Sequence, residues 1–183
     1  MTSPATPAPN ASPVSPDEKR SFLQAYDREH ATTMKVLRAF PGDRADLRPA
    51  PKCNTARDLA WTFVLERRLG TTILEDGMAA RMSAPGGGRP PKAPESWSDL
   101  LAALDEAHRQ FGDLVRSTPE SELGKTSKFF VAPKTMGDVQ RMGFLWFLLH
   151  DQIHHRGQFS VYLRLADAKV PSIYGPSADE PWT

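Results

Sequence analysis

The segment from residue 144 to residue 164 constrains the fold of this chain more than any other. It opens with the unbroken apolar run Phe144-Leu-Trp-Phe-Leu-Leu149 and later returns to an apolar helical pattern. Between these parts, three histidines and an aspartate fall within the six residues from His150 to His155. Burying ionisable groups without partners is costly. The pattern therefore predicts a core helix whose polar groups are satisfied by a partner, a ligand or a metal.

Composition narrows the class of protein. A chain of 183 residues is long enough for one domain that buries about two thirds of its unfolded surface. The 23 Lys and Arg residues nearly balance the 22 Asp and Glu residues, which argues against a nucleic-acid binder held by phosphate neutralisation. There is no apolar run of about 18 residues, so we expect no contact with a membrane interior. We also expect no secretory signal, and the single Cys53 suits a reducing cytoplasm.

Two stretches have the composition of linkers. Residues 1–16 are rich in Pro, Ala and Ser, and are predicted to form a disordered tail before a single domain at 17–183. Residues 85–94 are rich in Gly and Pro, which predicts a long connection within that domain. The glycines there do not form a phosphate-binding loop, because prolines follow them and no Gly-Lys-Ser/Thr is present.

Capping residues and apolar periodicity predict four helices. Their predicted limits are a cap at Ser15 to about Phe40, a cap at Thr55 to about Met82, a cap at Ser96 or Ser98 to about Ser117, and Thr135 to about Ala168. The stretch Lys128–Val131 is predicted to be a short strand or an extended strap without an evident partner strand. Four amphipathic helices with one long connection are typical of an all-α four-helix bundle.

The fourth predicted helix offers two alternative ligand pairs, His150/His154 and Asp151/His155, each spaced i, i+4. The pairs point about 100° apart, so only one can face the bundle centre. We favour Asp151/His155, because its side of the helix carries the strongest apolar stripe; the small residues beside His150/His154 indicate packing against another helix or subunit. The residues within about 60° of Asp151 are Phe144, Phe147, Leu148, His155, Gln158, Tyr162 and Leu165.

A catalytic metal needs a third protein ligand. Glu66 interrupts the apolar stripe of the second helix and His30 that of the first, so either could supply it. Imidazole and carboxylate suit Zn, Ni, Mn or Fe. The alternatives remain open: Glu66 could pair with an arginine at the bundle edge, His30 could be a hydrogen-bonded core histidine, and Asp151 and His155 could form a structural pair.

Several motifs carry a family resemblance. The run His154-His155-Arg156-Gly157-Gln158, the following Ser160-Val-Tyr162-Leu-Arg164, Val170-Pro-Ser-Ile-Tyr-Gly175 and Arg57-Asp58-Leu59-Ala60-Trp61 resemble the DinB family, also described as YfiT-like metal-dependent enzymes. The resemblance implies a four-helix bundle of up-down-down-up type, frequently a homodimer, with a divalent metal held by three histidines.

The resemblance transfers only one of these three ligands unchanged. The family's histidine before Arg-Gly-Gln matches His155, whereas the other two positions fall on Asp151 and Thr62. A carboxylate can still bind a metal, but a threonine hydroxyl is a poor ligand at neutral pH. The resemblance therefore implies metal binding that is weakened, altered in preference or lost, with Glu66 as a substitute offered on helical geometry alone.

Family members with known chemistry are thiol-dependent transferases and isomerases. Our first hypothesis is a metal-dependent hydrolase or thiol-dependent transferase, in which the metal lowers the pKa of a bound water or thiol that then attacks a small electrophilic substrate. Its cofactors would be Zn, Ni or Mn and a low-molecular-weight thiol, with Glu66 as ligand or base and Tyr162 orienting the substrate. The alternative is a catalytically silent homodimer with a degenerate metal site, serving small-molecule binding or a stress response.

Overall fold

A computed structural model of the protein describes residues 13–83 and 90–183. Most of the predicted tail and the glycines of the predicted linker lie outside the described residues. Val14 is only 7% exposed and belongs to a buried apolar cluster that includes Leu145 and Leu149. The packed part of the chain therefore begins slightly before the boundary predicted at residue 17.

Four long helices form the body of the protein, and a short 3₁₀ turn spans Gly42–Arg44. The predicted caps at Ser15, Thr55 and Ser96 are confirmed, because each hydroxyl accepts a hydrogen bond from the backbone N–H three residues later. The helices are α1 (Pro16–Arg38), α2 (Ala56–Leu74), α3 (Met78–Ser83), α4 (Trp97–Ser117), α5 (Glu120–Leu123) and α6 (Arg141–Leu165), with α3 and α5 short.

The second and fourth long helices end earlier than predicted. Helix α2 stops at Leu74 rather than near Met82, and the residues beyond it form the separate helix α3. The cause is local, since Asp76 has φ 55°, a left-handed conformation that interrupts a right-handed helix. Helix α6 ends at Leu165 for the same reason, because Asp167, two residues later, also has φ 55°.

A two-stranded antiparallel hairpin corrects the strictly all-α prediction. Strand β1 (Thr126–Ala132) pairs with strand β2 (Thr135–Gln140), with Thr126 opposite Gln140. The helix start predicted at Thr135 is wrong, because these residues form β2 and α6 begins at Arg141. The sequence showed no partner strand for Lys128–Val131, and the structure shows that this partner is β2, which had been predicted as the start of a helix. Lys128 and Asp138 face each other across the hairpin, with Nζ and Oδ2 2.9 Å apart.

Helices α1 and α2 each pack against both α4 and α6, so the four long helices enclose a common core. Phe63 of α2, Leu104 of α4 and Phe159 of α6 are fully buried there. The up-down-down-up order of the helices stays a prediction. Within residues 13–83 and 90–183, no helix combines the length and apolar character needed to cross a membrane.

The buried face of α6 is rotated from the predicted stripe. Phe147 is 52% exposed and Leu165 is 45% exposed, and Gln158 is also exposed. Instead, the polar side chains of Gln152 and Arg156 are buried. The pair Asp151/His155 therefore lies at the edge of the α6 interior face, where it borders α2.

An ion pair between distant parts of the chain explains why Arg156 can face inward. Its guanidinium donates to the Glu29 carboxylate at 2.7 Å and to the Glu29 carbonyl at 3.1 Å. Tyr174, in the segment after α6, donates its hydroxyl to the same carboxylate at 2.6 Å. Burial opposes ionisation of Glu29, but these hydrogen bonds lower its pKa. The network thus joins α1, α6 and the C-terminal segment.

Candidate metal centre

Helices α2 and α6 bring together the three residues that the sequence favoured as ligands. Glu66, Asp151 and His155 each offer a donor atom, and these atoms lie within 4.8 Å of one another. His155 Nδ1 is 2.9 Å from Glu66 Oε1 and 4.0 Å from Asp151 Oδ1. The i, i+4 spacing places Asp151 and His155 on one side of α6, facing the buried Glu66 of α2.

Burial makes Glu66 an unusual carboxylate. The residue is 5% exposed, and its Oε2 atom is buried without a hydrogen-bond partner among the described residues. Burial raises the pKa of Glu66 to about 7, although the hydrogen bond with His155 opposes the rise. That same hydrogen bond raises the pKa of His155, while burial opposes it. Near neutral pH, Glu66 and His155 therefore retain a proton between them.

The other candidate ligands lie outside this cluster. Thr62 donates its hydroxyl to the Asp58 carbonyl at 3.1 Å within α2. His30 contacts Asp105 at 2.8 Å and Arg67 at 3.2 Å, which is the hydrogen-bonded arrangement left open by the sequence. His150 and His154 are both exposed, so the alternative pair does not face the bundle interior.

Tyr162 lies two helical turns beyond His155 and is 5% exposed. Its hydroxyl donates to the Asn54 carbonyl at 2.8 Å, and burial raises its pKa. The ring lines a cavity of about 430 Å³ together with Cys53 and Gln158. The cavity reaches α6 at Gln158, about one helical turn beyond His155, and the role of Tyr162 in orienting a substrate stays a prediction.

The residues present fit a divalent cation. Two carboxylates and an imidazole form an acceptable donor set. Glu66 Oε2, which residues 13–83 and 90–183 leave without a hydrogen-bond donor, is a buried acceptor that a cation would satisfy. A cation could also replace the proton held between Glu66 and His155, since metal ligands must be deprotonated. Where the family resemblance implies a histidine, this chain has Thr62 and so lacks one imidazole ligand. Glu66, one turn later on α2, offers a carboxylate instead.

Fold and site together define a mostly helical four-helix bundle with a carboxylate-rich candidate metal cluster between its second and fourth long helices. The sequence model of the DinB family matches residues 15–182, so the chain belongs to the DinB family. A relative, the uncharacterized protein YrdA of Bacillus subtilis (strain 168), is 53% identical over 160 residues, which cover 87% of this chain and 89% of YrdA.

Solved structures of DinB-like proteins share the fold. A DinB-like protein from Bacillus cereus ATCC 10987 aligns with a TM-score of 0.69 at 23% identity, covering 85% of this chain and 97% of that one. YfiT from Bacillus subtilis, described as a probable metal-dependent hydrolase with an unusual four-helix bundle topology, aligns with a TM-score of 0.58 at 14% identity, covering 88% and 94%. At these identities the likeness concerns the fold, and the family resemblance predicted from the sequence is confirmed.

Proposed function

We propose that this protein is a metal-dependent hydrolase acting on a small electrophilic substrate, with a divalent cation held by Glu66, Asp151 and His155. The observation that carries the proposal is the buried Oε2 of Glu66, which has no hydrogen-bond partner in the described part of the chain and lies beside an imidazole and a second carboxylate. Such an atom costs free energy unless a donor or a cation satisfies it. The description of YfiT as a probable metal-dependent hydrolase supports the same reaction class.

When bound, the cation would act as a Lewis acid that lowers the pKa of water and polarises a carbonyl or similar electrophile. The residues of the cluster determine the pH at which the cation binds and the side from which solvent reaches it. Glu66 and His155 must first release the proton between them, so affinity for the cation rises with pH. Asp151, whose side chain is 35% exposed, leaves the cluster open toward solvent on one side.

The donor set suits Mn and Zn. Carboxylates suit harder cations such as Mn, Zn is bound by imidazole and carboxylate alike, and this cluster has two carboxylates for one imidazole. A low-molecular-weight thiol in place of water, which would make the protein a transferase, is the related proposal from family chemistry. A cytoplasmic homodimer is the setting we propose for either activity.

A catalytically silent binding protein is the second candidate. Its support is the 2.9 Å hydrogen bond between His155 Nδ1 and Glu66 Oε1, through which the two groups partly satisfy each other without a cation. In that case the cluster would be a degenerate metal site that serves as an internal polar contact.

Elemental analysis of untagged protein, purified without chelator, distinguishes the two candidates. The hydrolase proposal predicts close to one Mn or Zn per chain, loss of the metal in His155→Ala, and retention in the control His154→Ala, whose exposed histidine lies next in sequence. In all three proteins, the rate of p-nitrophenyl acetate hydrolysis should rise and fall with the metal content. Metal-free, stable wild-type protein that shows no hydrolysis with added Mn or Zn would support the silent protein.

A further inference from the structure

The candidate metal cluster lies midway along a row of side chains on α6. Phe147, Asp151, His155 and Gln158 follow one another at successive turns, within about 40° of one line along the helix. The axial distance from Phe147 to Gln158 is about 16 Å. Since Phe147 and Gln158 are exposed, this row borders solvent, and each of its ends lines a different cavity.

The cavity at the Phe147 end is mostly apolar, although Asp138, which is paired with Lys128, and Gln140 also line it. It has a volume of about 500 Å³ and lies between the hairpin and α6. Phe129 packs on Phe144 with ring centroids 4.5 Å apart, and Phe144 packs on Phe147 at 5.6 Å. Phe130 and Val131 of β1 complete its wall and are 42% and 55% exposed. A cavity of this kind accommodates an aliphatic or aromatic group.

The cavity at the Gln158 end mixes polar and apolar groups. Its volume is about 430 Å³, and Lys52, Asn54 and Gln158 offer polar side chains beside the apolar Leu59 and Val161. Lys52 is exposed and bears the only charge among the side chains of this lining. Arg48 also acts on this region, because its charge opposes the rise in the pKa of Tyr162. The local positive charge favours an anionic group on the ligand.

We propose that the two cavities bind opposite ends of one substrate, an extended carboxylic ester with an apolar acyl chain and an anionic alcohol portion. This inference rests on the proposed function, because it places the ester carbonyl at the candidate metal cluster. The acyl chain lies in the cavity beside Phe147, and the anionic portion lies near Lys52. A substrate with a short acyl chain would leave the apolar cavity unfilled and bind more weakly.

The reaction at the centre is hydrolysis, with water as the second reactant. The water oxygen bonds to the ester carbonyl carbon, and the bond from that carbon to the alcohol oxygen breaks. One proton of the water passes to the alcohol oxygen as it leaves, so the products are a carboxylic acid and a hydroxy acid. No oxidant or reductant is required.

Binding of a non-cleavable probe tests the two-cavity assignment independently of catalysis. The probe is octyloxyacetate, the ether counterpart of the ester octanoyloxyacetate, and its affinity is measured by isothermal titration calorimetry. Phe147→Ser should weaken binding about tenfold through lost apolar contact, and Lys52→Gln should weaken it about threefold. Leu165→Ser and Lys169→Gln are matched controls: both residues are exposed and neither lines these two cavities.

The outcomes separate this inference from the proposed function. Weaker binding in Phe147→Ser and Lys52→Gln, with controls equal to wild type, supports the assignment. Equal affinity in all five proteins, or undetectable binding to wild type, overturns it even if p-nitrophenyl acetate is hydrolysed. Selective binding of octyloxyacetate without cleavage of octanoyloxyacetate by the Mn- or Zn-loaded protein overturns the hydrolase function and supports the cavity assignment.

Discussion

Replacing Glu66 with glutamine should change how the stability of the metal-free protein depends on pH. Burial raises the pKa of Glu66 from 4.5 in the unfolded chain to about 7 in the fold. Between these values the folded state holds a proton that the unfolded state has released, so the free energy of unfolding falls as pH rises. The shift corresponds to a loss of about 3 kcal/mol across that interval.

Urea denaturation followed by circular dichroism, at intervals from pH 4.5 to 7.5 with a chelator present, measures this effect. Groups away from the cluster contribute equally to both proteins, so the informative quantity is the difference between wild type and Glu66→Gln. The substitution also removes the charge that raises the pKa of His155, and this change acts in the same direction, because a folded state that no longer retains that proton loses less stability as pH rises. We expect the variant to lose stability less steeply with rising pH, because the amide does not ionise. The control Glu75→Gln, an exposed position just after α2, should follow wild type. Parallel curves for wild type and Glu66→Gln would refute the argument.

Three further predictions concern the stability of the helical bundle and the metal affinity of the cluster. Arg156→Met should destabilise the protein by about 3 kcal/mol, because it removes the buried cation beside Glu29 and leaves that carboxylate paired only with the exposed Arg28 at 3.3 Å; equal urea midpoints would contradict this. Tyr174→Phe removes the hydroxyl that donates to Glu29 and should cost about 1–2 kcal/mol in the same assay. Thr62→His should tighten Zn binding at least about tenfold, or 1.4 kcal/mol, in competition with a chromophoric chelator, and unchanged affinity would show that position 62 lies out of reach.

Local signals predicted most of the helical frame correctly. The caps at Ser15, Thr55 and Ser96 depend only on residues three positions apart, and such short-range hydrogen bonds are visible in sequence. The spacing of Thr135 and Asp138 imitates the same signal, yet both residues belong to β2. Strand pairing decided the structure there, and it depends on residues across the turn that periodicity does not reveal.

The sequence predicted that the three candidate ligands lie together, while their role as metal ligands stays a prediction. The i, i+4 spacing of Asp151 and His155 and the inward position of Glu66 correctly indicated three neighbouring side chains. The sequence did not predict which face of α6 is buried, because an arginine such as Arg156 is normally expected at the surface. It is buried only because Glu29, 127 positions away, neutralises it. Contacts between positions so far apart leave no periodic signal in a single sequence.

Anomalous diffraction from crystals grown with Mn or Zn would test the central claim most directly. The account predicts one strong peak between α2 and α6, within about 2.0–2.3 Å of donor atoms of Glu66, Asp151 and His155. A loaded crystal with no peak among these three side chains, or with its peak at the exposed His150 and His154 instead, would contradict it.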